Sequence, residues 1–143
     1  MSLERPDHAD ADLVLKLYDL RRETVMRESR AKLNAFQPKS FEELIAVTKP
    51  DHPLNVAFHQ VSSYWEMAYA LARFGIVHPE YFMENEGEGL LLYVKLEPWL
   101  ARYRQEVSAL AFLNSEWVAT RTERGRLLME LFRKRFGVAA AKA

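Results

Sequence analysis

Apolar side chains return every three to four positions along nearly the whole chain, and the polar residues between them read as helix starts and stops. Leu13, Leu17, Leu20 and Thr24 stand at i, i+4, i+7 and i+11, the spacing of one helix face. Asp7, Asp10 and Asp12 precede them, where acids suit the positive end of a helix dipole. This predicts a first helix running to about Asn34, with Pro38 beyond it. Ser40 with Glu43 is a capping box for "SFEELIAV", which the Lys49–Pro50 step stops. Asp51 then caps a long segment whose first turn accepts Pro53 and whose end is marked by Gly75.

Pro79 opens a short helix, "PEYFMEN", and Leu90 to Glu97 reads as another, with Pro98 kinking it or opening its successor. Val107, Leu110, Ala111, Trp117 and Val118 keep a helical spacing. Thr120 and Glu123 form a second capping box before Leu127, Leu128, Leu131 and Phe132, and Gly137 closes that helix. No two-residue alternation competes with this pattern. The expectation is one all-α domain over residues 1–143, a bundle of about six helices, with residues 138–143 as a frayed tail.

The segment from residue 52 to 74 is apolar on most sides. Leu54, Phe58, Val61, Trp65, Ala68 and Leu71 mark one face, while Val56, Met67, Ala70 and Phe74 occupy others. A helix of that kind is expected at the centre of the bundle. Glu66 would then be partly enclosed and need a partner from another helix, a cation or tyrosine hydroxyls, or else stay protonated.

Composition narrows the function classes. Lys plus Arg and Asp plus Glu stand at 20 each, so no net field favours nucleic acid or an anionic membrane. The chain has no cysteine, which removes disulfides, thiolate metal sites and cysteine nucleophiles, and fits a cytoplasmic location. "MSLERPDHADAD" lacks the apolar core of a secretory signal, and Met1–Leu3 read as an added leader. The apolar run near Leu90 is cut by Lys95 and Glu97, far short of the roughly 20 residues that span a bilayer.

The stretch "ENEGEGLLLYVKLEP", Glu84 to Pro98, is the nearest thing to a motif. As a calcium loop beginning at Glu84 it places Glu86, Glu88, Gly89 and Leu91 at suitable positions. It fails at the twelfth, where Lys95 replaces the bidentate glutamate. As a phosphate cradle it fails because Glu86 and Glu88 would repel the ligand and no Gly-Lys-Ser/Thr follows. A turn in which Gly87 and Gly89 reverse the chain, with the acids near the next helix start, accounts for every residue.

Within "SYWEMAYALARFGIVHPEYFMENEGEGLLLYVKLEPWLARYR", four elements carry a resemblance: Tyr64-Trp65-Glu66-Met67, Gly75-Ile76-Val77, Gly87-Glu88-Gly89 and Lys95-Leu96-Glu97-Pro98. This stretch, about a third of the chain, resembles a family of small uncharacterised bacterial helical proteins. The resemblance implies an all-helical fold and brings no activity with it.

His52, His59, Glu66 and Arg73 recur every seven residues. Neighbours in such a row lie about 10 Å apart along a helix, too far to share an ion, so a metal would need ligands from another helix. No serine has a nucleophile-elbow context, and an enzyme is the minority reading. From Ser115 to Ala143 seven Lys or Arg face three Glu, while Glu80 to Glu97 carries five Glu and one Lys. A basic helix end lying near that acidic segment explains the bias better than nucleic acid does.

The function expected from the sequence is a small helical module acting by protein–protein contact. Eight Phe, six Tyr and three Trp favour self-association as a homodimer or other homo-oligomer. The alternative is a small-molecule or metal-binding protein with a pocket beside the 52–74 helix. Its candidate residues are His59, Glu66, Tyr64 and Tyr69, with no cofactor, catalytic residue or metal ligand assigned.

Overall fold

The computed structural model describes residues 5–139, which contain eight helices and no strand. They are α1 (His8–Arg21), α2 (Thr24–Leu33), α3 (Phe41–Val47), α4 (Asn55–Arg73), α5 (Pro79–Asn85), α6 (Gly89–Glu106), α7 (Leu113–Arg121) and α8 (Glu123–Phe136). Met1–Leu3, read as a leader, and residues 140–143 of the tail lie outside the described residues. No helix among the described residues is long and apolar enough to cross a membrane.

The all-helical expectation holds; the number six does not. The first predicted helix is two, broken at Arg22–Glu23, where the Glu23 carboxylate accepts from Met26 N–H (3.2 Å) and starts α2. The break survives because side chains take up the end of α1: Arg30 Nη1 donates to Arg21 O (3.3 Å) and the Tyr64 hydroxyl to Leu17 O (2.6 Å). Leu20, placed by its spacing on the buried face, is exposed, and the core side of α1 is Val14 and Leu17.

Most punctuation residues act where they were expected. Asp7 and Asp10 form a reciprocal capping box, and Ser40 Oγ accepts from Glu43 N–H (3.2 Å). Gly75 and Gly137 end α4 and α8 in the left-handed region, at φ +74° and +65°. Pro79 occupies the first turn of α5, and Pro98 lies inside α6, which continues through it.

Two caps differ. Thr122, not Thr120, starts α8: its hydroxyl accepts from Gly125 N–H (2.9 Å) while donating back to Val118 O (2.6 Å). Asp51 caps nothing, because α4 begins later, at Asn55, after His52 Nδ1 accepts from Leu54 N–H (3.0 Å).

The segment expected to be apolar on most sides and central is amphipathic. One face of α4 buries Phe58, Val61, Trp65, Ala68, Tyr69 and Ala72, packing chiefly against α2 and α7. Val56, His59, Ser63, Met67 and Phe74 face solvent, so no neighbour encloses the helix. Tyr64, Trp65, Tyr69 and Phe82 form a chain of ring contacts with centroids 5.0–6.1 Å apart.

Close approach explains two glycines at helix starts. A Cβ on Gly89 would lie 2.7 Å from the Trp65 ring and 2.6 Å from the Tyr69 hydroxyl, so α6 can begin against that aromatic pair only without a side chain. Neither Gly87 nor Gly89 has positive φ; the chain turns there without left-handed residues. At Gly125 a Cβ would meet Val118 O at 1.9 Å, a backbone atom that cannot step aside. Gly125→Ala is therefore expected to lower unfolding stability by about 1–3 kcal/mol, read as a lower urea midpoint with unchanged slope. A midpoint equal to wild type would show that the α7–α8 corner relaxes freely.

Candidate functional site

The four residues singled out by sequence do not converge. His59 is exposed on the outer side of α4. Glu66 caps α7: Asn114 N–H donates to Oε1 (3.0 Å), Ser115 N–H to Oε2 (2.8 Å), and the Ser115 hydroxyl also donates to Oε2. Its partner does come from another helix, but it is a helix N-terminus rather than a cation or tyrosine. Tyr64 and Tyr69 serve other neighbours: the Tyr64 hydroxyl donates to Leu17 O (2.6 Å) and the Tyr69 hydroxyl to Glu86 O (3.0 Å).

Glu84 is exposed, but Glu86 and Glu88 are not simply solvated acids of a helix start. Glu86, at the end of α5, is 1 % exposed. Arg21 Nε stands 3.4 Å from its Oε2, but the direction is wrong for a hydrogen bond, and neither carboxylate oxygen has a hydrogen-bond partner. Arg21 is held between the Tyr18 and Trp65 rings, its guanidinium carbon 5.3 and 5.4 Å from their centroids. Its Nη1 reaches Glu88 Oε2 (3.3 Å), and Glu88 Oε1 pairs with Arg30 Nη2. Two arginines from α1 and α2 thus interlock with two glutamates from the α5–α6 turn.

Burial pushes the Glu86 carboxyl up to about 7; Arg21 opposes that rise and Glu88 adds to it. Tyr64 and Tyr69 flank the same charge, and burial first, then Glu86, raises both phenols.

Beside this cluster lies a cleft of about 350 Å³, where three helices each present one face. Arg27, Arg30, Ala31 and Asn34 come from one side of α2, Val61 and Trp65 from successive turns of α4, and Leu91, Leu92 and Lys95 from α6, with Glu88 at its start. The floor is apolar and the rim carries charge of both signs. A cavity of that size with few convergent polar groups suits a small molecule.

Lys95 is 6 % exposed; its Nζ donates to Asn34 O (3.1 Å) and sits 4.7 Å from the Phe136 ring centroid. Burial, with the nearby Arg135 charge, lowers its pKa.

Sequence reasoning missed Arg21, Arg27 and Arg30 altogether, weighed Glu86 only as a calcium-loop position and then as an acid near a helix start, and gave Lys95 no role in a site. The i, i+3, i+4, i+7 rows Arg27/Arg30/Ala31/Asn34 and Glu88/Leu91/Leu92/Lys95 were available as a signal, but nothing in one dimension sets them face to face. The basic final helix does meet the acidic segment: Arg133 forks onto Glu97 (2.8 and 2.7 Å), and Arg124 reaches Glu84 (3.3 Å).

Fold and site together define an all-helical domain with a lateral cleft beside a buried ion cluster. Residues 6–122 match the model of a family described as Domain of unknown function (DUF4760), and the chain belongs to that family. No curated protein and no solved structure matches it.

Glu86 gives stability a definite pH dependence. Below its ordinary value of 4.5, folded and unfolded chains both hold the proton and the contribution is whole. As pH rises from there to about 7, the unfolded chain releases the proton first, so stability drains away. Above that the loss is complete, on the order of 3 kcal/mol at about 1.4 kcal/mol per pH unit. Urea unfolding of wild type and Glu86→Gln at pH 5 and pH 8 checks this: the variant should gain on wild type as pH rises. A constant difference between the two proteins would contradict it.

Proposed function

We propose that this protein binds a small molecule in the cleft between α2, α4 and α6. One observation carries the reading: Val61 and Trp65 floor an open cavity of about 350 Å³ walled by the faces of three helices. Helical bundles build their binding sites in this way, from side chains on facing helices. The ion cluster behind Trp65 gives the wall rigidity. Arg21 stacks on the ring and ties α1 to the start of α6, so the cleft is shaped before a ligand arrives.

Ala31 is exposed and lines the cleft without belonging to the core, which makes it a site for blocking the cavity while sparing the fold. Indole titrated into isotope-labelled protein should move the Trp65 indole N–H and the Val61 and Leu92 methyl resonances together. Ala31→Trp should abolish those shifts with the helical spectrum unchanged. Shifts scattered over the surface, or surviving in the variant, would defeat the reading.

A second reading, self-association, rests on a different face. Val56, Met67 and Phe74 are 75, 52 and 69 % exposed and fall within about 20° of one another around α4, a stripe about 27 Å long. The occupant on this reading is a second copy packing stripe to stripe, an isologous contact. Sedimentation velocity should then show a concentration-dependent dimer that Met67→Glu with Phe74→Glu converts to monomer. A monomer at every concentration up to about 1 mM, where even a weak contact is populated, speaks against it.

A further inference from the structure

The cleft holds more positive than negative charge once the partners within it are assigned. Both oxygens of Glu88 are taken, one by Arg21 and one by Arg30. No ion pair among the described residues uses Arg27 or Lys95, the other two charged residues of the lining. Arg27 is exposed and can be served by water. Lys95 is buried, and of its ammonium's three donors the structure gives a partner to one, Asn34 O, with the Phe136 face nearby. A buried cation without a counter-ion is costly, and the cost falls when an anion arrives. That acceptor's residue, Asn34, lines the cleft together with Lys95.

We propose that the cleft selects a small organic carboxylate, with its apolar body against Trp65, Leu33 and Leu92 and its charge beside Lys95. This rests on the cleft being a ligand site and goes further in naming the ligand's class. Arg27, at the mouth, supplies a second cation for the approaching acid. Glu88 attracts an amine in the same pose less than it would if free, because two guanidiniums already neutralise it; the discrimination against amines comes from Lys95. A purely structural Lys95, capping the last carbonyls of α2, is the competing account. It predicts a loss of stability on substitution and no effect of ligand charge.

Three probes with one body separate the accounts: 3-phenylpropionate, 3-phenylpropan-1-ol and 3-phenylpropylamine, each titrated against the full chain while the Trp65 indole N–H resonance is followed. The carboxylate should bind at least about tenfold more tightly than the alcohol, the margin of a charge-assisted hydrogen bond over a neutral one. The amine should bind more weakly than either. Lys95→Met should bring the carboxylate down to the alcohol and leave the alcohol unchanged, while Lys95→Arg should keep part of the preference. Equal binding of carboxylate and alcohol by the wild type overturns the assignment of ligand class yet leaves the cleft as a binding site. A preference that survives in Lys95→Met overturns the role of Lys95. If no probe moves the Trp65 signal, the cleft is not a ligand site at all and both readings fall. Should Lys95→Met not fold, the three-probe comparison on the wild type still decides the class.

Discussion

Glu86 is a carboxylate that water does not reach, and much of the local arrangement follows from the need to live with it. A lone buried carboxylate is unfavourable by several kcal/mol, so it shifts towards its protonated form and draws Arg21 in from α1. Arg21 can reach it only if α1 stops where it does and α2 turns away to bring Arg30 onto Glu88. The same arginine lies on Trp65, which in turn sets how closely α6 may start and makes Gly89 necessary. One awkward charge thereby links the ends of α1 and α5 to the starts of α2 and α6. The cleft opens on the far side of that knot, sharing Arg30, Glu88 and Trp65 with it.

Elsewhere carboxylates hold helices in place from a distance. Asp10 in α1 accepts from His78 N–H (2.8 Å) at the start of α5. Glu66 in α4 takes the first amides of α7, and Glu80 in α5 takes Glu123 and Arg124 N–H (2.9 and 3.1 Å) at the start of α8. Each is a helix cap supplied by another helix, satisfying orphan amides and meeting the positive end of the dipole at once. The bonds to Asp7 and His78 amides keep the Asp10 carboxyl below its usual value. With short helices and modest apolar faces, such links fix directions that packing alone would leave loose.

The loop before α7 shows the same economy. Phe112 is the single non-glycine residue with positive φ among those described, at 58°. It is held there from both sides. Arg104 Nε donates to Ala111 O (2.8 Å) and its Nη1 pairs with Glu116 (3.0 Å), while the Phe112 ring sits edge-on to Phe58 at 6.3 Å. The corner is strained locally and compensated by one arginine and one ring contact. That compensation lets α7 lie against α4, where Glu66 can cap it.

The all-helical class and most stops and starts were legible along the chain, because Ser40, Gly75, Pro79 and Gly137 act on the backbone next to them, whatever surrounds them. So were the lack of cysteine chemistry and of net charge. The burial of Glu86 and the clamping of Glu88 came from the packing of helices, since nothing in "ENEGEG" distinguishes an acid in water from one facing Arg21 across more than sixty positions. Packing likewise decided that Glu66 is a cap, that Thr122 rather than Thr120 starts α8, and that α4 keeps one face in water. The candidate site was the least legible part. Its walls are three ordinary helix faces, and a helix face becomes the side of a cavity only through what stands opposite it. Spacing along a chain records which side chains share a face; it carries no record of the distance to the next helix.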